Sequence, residues 1–81
     1  MQFKWSRNFE KGLAKLDKNM REKVRKKLKL FSDLRYKKVQ ALKHEKPPVY
    51  EISIDMSIRI TLQEFEDHIY FRNIGGHKIL P

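Results

Sequence analysis

The sequence predicts a small α+β domain of order β-α-α-β-β-β, in which a two-helix hairpin packs on one face of an antiparallel sheet. Three observations predict it. The last third alternates apolar and polar residues through Val49 to Ile54, Ile58 to Phe65 and His68 to Ile74. Two stretches ahead of it repeat apolar residues at helical spacing, from Phe9 to Met20 and from Met20 to Leu34. At 81 residues the chain has room for one core, so residues 1–81 form one domain.

The elements follow in order. Phe3-Lys4-Trp5 alternates as a short strand does. Ser6 or Asn8 is the expected N-cap of the next segment, where Phe9, Leu13, Leu16 and Met20 form one stripe. Asp17 to Asn19 interrupts that stripe and starts a second helix, whose apolar set is Met20, Val24, Leu28, Phe31 and Leu34. Like charges at i,i+4, such as Arg21 and Arg25, repel, so this helix depends on packing. Leu34 to Pro48 reads as a polar connector, and Pro47-Pro48 forces extended backbone there. Asp55-Met56-Ser57 and Glu66-Asp67 are short enough for hairpin turns, and Gly75-Gly76 ends the last strand.

Strand parity sorts the sheet into two faces. Ile52, Ile54, Ile58, Ile60, Leu62, Ile69 and Phe71 belong to the face that meets the helices. Glu51, Ser53, Arg59, Thr61, Tyr70 and Arg72 share the other, expected to be open. Arg59 and Arg72 stand there on neighbouring strands, where two guanidinium forks can hold a phosphate and stabilise charge developing on it. A plain cross-strand ion pair between Arg59 and Glu51 is the competing reading.

Charge sets the class of partner. The chain carries +9, and the excess is uneven: residues 1–50 hold 16 basic and 5 acidic side chains, residues 51–81 hold 3 and 5. Such a field suits nucleic acid, an anionic membrane or an acidic protein, and the membrane is disfavoured because the core needs the helix's apolar stripe. Its densest part is Lys18, Arg21, Lys23, Arg25, Lys26, Lys27 and Lys29, opposed only by Glu22. These cations can track a phosphate backbone; a solvated helix exterior would carry the same pattern. No aromatic residue interleaves with them, so base stacking is not indicated on this helix.

His77, after Gly75-Gly76, is a residue type able to pass protons at neutral pH. Cleavage of RNA by its own 2′-hydroxyl needs such a group. His44 and His68 lie in polar connector or turn positions, and three scattered histidines with no cysteine make no metal site. No cofactor is expected. The absence of cysteine, of an apolar leader in Met1 to Trp5 and of any membrane-length apolar run points to the cytoplasm and to no membrane partner. Phosphate-loop, nucleophile-elbow and paired-carboxylate signatures are missing as well.

Several of these segments together resemble a family. They are Phe9 to Leu16 with the Lys-rich second helix, Leu42 to Ile52, Ser57-Ile58-Arg59-Ile60-Thr61, and Ile69-Tyr70-Phe71-Arg72-Asn73-Ile74-Gly75-Gly76-His77. The chain is similar to RelE/ParE-superfamily toxins of type II toxin–antitoxin modules, nearest the RelE and YafQ type. The resemblance implies a metal-independent endoribonuclease (an mRNA interferase) that cuts mRNA in the ribosomal A site and is silenced by a cognate acidic antitoxin. It gives Arg59 transition-state stabilisation, Arg72 phosphate binding and His77 acid or base work. It places His44 and Asp55 near a histidine and an acidic position of the YafQ type, and sets the basic helix against ribosomal RNA. Two other readings stay open: a ParE-like DNA gyrase inhibitor without nuclease activity, and a non-catalytic or catalytically weak RNA-binding member of the same fold.

Overall fold

The computed structural model describes residues 2–30, 37–39 and 44–76. The elements are β1 (Gln2–Trp5), α1 (Arg7–Ala14), α2 (Lys18–Lys29), β2 (Lys37–Lys38), β3 (Val49–Ser53), β4 (Arg59–Glu64) and β5 (His68–Gly75). They build one five-stranded sheet in the order β1-β5-β4-β3-β2. The sheet is antiparallel from β2 to β5, while β1 joins β5 in parallel, so it is mixed where the sequence suggested antiparallel pairing throughout. The two helices form the crossover that a parallel pair requires. The expected connector also holds a strand, since the Lys37–Lys38 backbone pairs with Glu51 and Tyr50. Lysines are common on sheet edges, which is why they read as loop.

Both helices begin on the residue types expected of caps. The Ser6 hydroxyl accepts from the Phe9 N–H, and the Asp17 carboxylate accepts from the Met20 N–H at 2.8 Å. Phe9 and Val24 are buried against Ile52, Ile54, Ile60, Leu62, Ile69, Phe71 and Ile74, with Leu13, Leu16, Met20, Leu28 and Ile58 around them. Phe71 is the centre, with Phe3 edge-on at 5.2 Å and Phe9 tilted at 5.4 Å. Phe31 and Leu34 lie outside the described residues.

Alpha1 is fastened to β5 along its length. Ser6 donates its N–H to the Phe71 carbonyl and its hydroxyl to the Arg72 carbonyl. Six residues on, Gly12 lies directly over Ile74: a Cβ on it would stand 2.4 Å from the Ile74 carbonyl oxygen. A helix approaches a strand this closely only over a residue without a side chain.

Candidate functional site: the polar face of the sheet

Beta5 departs from strict alternation at one point. Thr61 pairs with Asn73 and Leu62 with Phe71, so Arg72 is the extra residue of a β-bulge. The bulge resets the alternation. Phe71 and Ile74 both reach the core, and Arg72 and Asn73 both line a cavity on the sheet's other side.

That cavity is an open surface depression of about 280 Å³, lined by Ser6, Asn8, Glu45, Gln63, Tyr70, Arg72 and Asn73. Its parts come from the first turn of α1, from the connector ahead of β3, from β4 and from β5. Gln63 is fixed by donating its amide to the Pro47 carbonyl at 2.7 Å. Among the described residues the buried Nη1 of Arg72 has no hydrogen-bond partner. Two more such atoms stand on this face, Arg59 Nε and the hydroxyl of Thr61, which is 1% exposed. An orphaned buried donor is costly, and native proteins leave few of them. Three on one sheet face point to a ligand rich in acceptors.

The face is less open than alternation suggests. Thr61 and Gln63 are buried, and Val49, which shares Gln63's face through their pairing, forms a small second cluster with Val39. Nor is Arg59 a free fork: its Nη1 lies 2.5 Å from Glu51 Oε1 across the β3–β4 pair. The competing ion-pair reading is therefore what stands there, with Nε left over. Arg72 lines the cavity, and Arg59 does not. His77 lies outside the described residues.

The basic helix is as exposed as its sequence suggests. Lys23 reaches Asp55 at 3.4 Å, Arg25 lies 3.8 Å from Glu22, and Arg21 donates to the Leu16 carbonyl. Lys18, Lys26, Lys27 and Lys29 make no ion pair among the described residues. His44 is exposed, 4.0 Å from Glu45 beside the cavity. His68 instead stacks on Phe65 at 4.8 Å and sits 2.7 Å from Asp67, whose carboxyl it holds below the usual range. Asp55 is a turn-former: it accepts from the N–H groups of Ser57 and Ile58, and these bonds bring its pKa down to about 2.

A groove of about 430 Å³ runs between the helices and β1, lined by Phe3, Trp5, Phe9, Leu13, Val24 and Leu28. Arg21, Arg25 and Lys29 rim it, with Glu10 as its one acidic lining residue among the described residues. Sequence reading gave Phe3-Lys4-Trp5 as a short strand and turned the helical stripes inward, and so missed the groove. Its signal was the pair Phe3 and Trp5, which an edge strand leaves 36% and 51% exposed. Among the described residues no three His, Cys, Asp or Glu side chains gather as metal ligands, and no helix is long and apolar enough to cross a membrane.

Solved structures decide the fold. A solution structure of the conserved hypothetical protein HP0894 from Helicobacter pylori is similar with a TM-score of 0.71 at 15% identity, over 96% of each chain. The isolated RelE toxin of E. coli is similar with a TM-score of 0.65 at 21% identity, over 93% of this chain and 82% of that one. The chain has the RelE-type toxin fold. A copper-bound mutant toxin from Helicobacter pylori is similar over 100% of this chain and 99% of its own, with a TM-score of 0.67 at 14% identity. No family model matches the chain, and no curated protein matches it in sequence. Within the RelE-type fold, this chain carries the bulge at Arg72 and the polar cavity beside it.

Proposed function

We propose that the protein is the toxin of a type II toxin–antitoxin pair: a ribosome-dependent mRNA interferase that inhibits translation. The observation that carries this reading is Arg72, whose buried, unpartnered Nη1 borders a polar cavity on the sheet face turned from the helices. The 2′-hydroxyl of one nucleotide attacks the adjoining phosphorus, the bond to the 5′-oxygen breaks, and a 2′,3′-cyclic phosphate and a free 5′-hydroxyl result. Arg72 donates to a non-bridging oxygen as its charge grows, with Arg59 Nε and the Thr61 hydroxyl as further donors on the same face. His77 is the proton carrier in this reading. The basic face of α2 binds ribosomal RNA, and the ribosome holds the mRNA in line, a positioning effect of ~7–11 kcal/mol at its largest.

The groove beside β1 supplies the second part of the reading. Its apolar floor and its rim of Arg21, Arg25 and Lys29 suit an amphipathic, acidic segment of a cognate antitoxin. Primer extension on a translated reporter mRNA after brief expression tests the proposal, with His77→Ala as the comparison. Translation-dependent cuts that weaken in the variant are the expected result. Growth arrest without cuts, accompanied by an SOS response, would refute it in favour of gyrase inhibition.

A further inference from the structure

The cavity under the bulge holds more unspent polar chemistry than one phosphate needs. Asn8, the second residue of α1, projects into it from one side, and Asn73 and Tyr70 come from β5 on the other. Among the described residues none of these three side chains makes a hydrogen bond. Two carboxamides offer donors and acceptors together, and a phenol offers a flat face with a polar tip. Charge distinguishes this site from a plain anion pocket: among the described residues Arg72 is its one cation, and the Glu45 carboxylate opposes it. A dianion would meet that carboxylate, whereas a ring edge carrying N–H groups would be bound by it. At about 280 Å³ the space lies at the lower limit of small-ligand pockets, ~300 Å³, and fits one ring system.

We propose that this cavity is a base-reading subsite: Asn8, Glu45, Tyr70 and Asn73 bind the nucleobase next to the phosphate held by Arg72, and favour a base with an exocyclic amino group. The inference rests on the RNA-cleaving reading above and adds a sequence preference to it. Glu45 accepts from the amino group, as carboxylates do from cytosine N4 in nucleic-acid complexes. Uracil, which lacks an amino group, is the disfavoured base. The bulge is the enabling device. Without it Arg72 and Asn73 would face opposite sides of the sheet, and phosphate and base could not be held together.

The test uses the purified protein, the four 3′-nucleoside monophosphates, ribose 5-phosphate and an acidic peptide, followed by NMR. The side-chain amide signals of Asn8 and Asn73 are expected to move with guanosine, adenosine and cytidine monophosphates, which bind about tenfold more tightly than the uridine nucleotide. Glu45→Gln should narrow that gap, and Asn8→Ala, at an exposed helix position that leaves the core untouched, should weaken the three favoured nucleotides severalfold. Equal binding of all four nucleotides and ribose 5-phosphate overturns the proposal, as does a shift pattern confined to α2. A peptide carboxylate that moves the same signals as strongly also overturns it, making the cavity part of a protein interface. Cut-site profiles in cells separate the two readings. Cuts without base preference at one codon position sink the subsite alone. Base-selective nucleotide binding with no cuts sinks the interferase alone.

Discussion

Replacing Gly12 by alanine tests how α1 is seated, and its outcome can be worked from the geometry. The added methyl would lie 2.4 Å from the Ile74 carbonyl oxygen and 2.9 Å from Ile74 Cγ2, where ordinary contact begins near 3.4 Å. The helix or strand must therefore yield by about 1 Å, the difference between 3.4 and 2.4. The obstacle is strand backbone rather than a flexible side chain, held by the pairing of Ile74 with Ile60, so the helix is the part that moves. Phe9 and Leu13 then lift from the sheet, while Ser6 still pulls α1 toward the Arg72 carbonyl. Overpacking costs ~1–3 kcal/mol, and a backbone obstacle puts this site at the upper end. The better helix propensity of alanine returns ~1 kcal/mol. The net loss is about 2 kcal/mol, or ~8–16 °C in Tm for a domain of this size. Thermal melts followed by far-UV circular dichroism measure it. A Gly12→Ala protein that melts at or above the wild-type temperature would refute the close seating and with it the placement of Asn8 over the cavity.

Other consequences follow from single contacts. Arg72→Ala should cut reporter mRNA ~10²–10³-fold more slowly, the cost of removing one oxyanion donor, while Tm changes little because Nη1 has no protein partner to lose; Arg72→Lys should recover only part of the rate, since it keeps the charge and loses the fork. Asp55 is depressed to about 2, so its contribution to stability is complete above the unfolded value, ~3.9, and drains away as pH falls through 2. Urea midpoints of wild type and Asp55→Asn should accordingly differ at pH 5 and converge toward pH 2. Trp5 is the sole tryptophan and lines the groove beside β1, so an acidic amphipathic peptide docking there should change its fluorescence. That signal should weaken with added salt and fall at least tenfold in an Arg25→Glu, Lys29→Glu variant.

How far the sequence reveals this molecule depends on whether a residue obeys its element's period. The two helices and the three long strands follow from periodicity, because one buried face enforces it; of the two cap residues offered for α1, Ser6 and Asn8, the structure uses Ser6. The site follows from departures. Phe71 and Ile74 are three apart, a spacing that period-two alternation cannot put on one face, yet both are buried. A bulge between them puts both on the core face, and that spacing was its signal in the sequence. Val49 was a second signal. It is an apolar residue on the polar face, and it marks where that face is covered, which is why Thr61 and Gln63 are buried although their positions alternate as exposed ones would. Beta2 left no signal, since two lysines carry no apolar face and only backbone pairing makes them a strand. Arg59 shows the limit from the other direction. Parity put it on the correct face but could not tell whether Glu51 or a ligand would claim its fork, because both uses need the same alternation. Arg72 escapes that ambiguity, because the bulge that makes it the extra residue of β5 leaves it no residue directly opposite on β4, and its buried Nη1 has no partner among the described residues. The irregular position, not the regular one, is where chemistry has room to act.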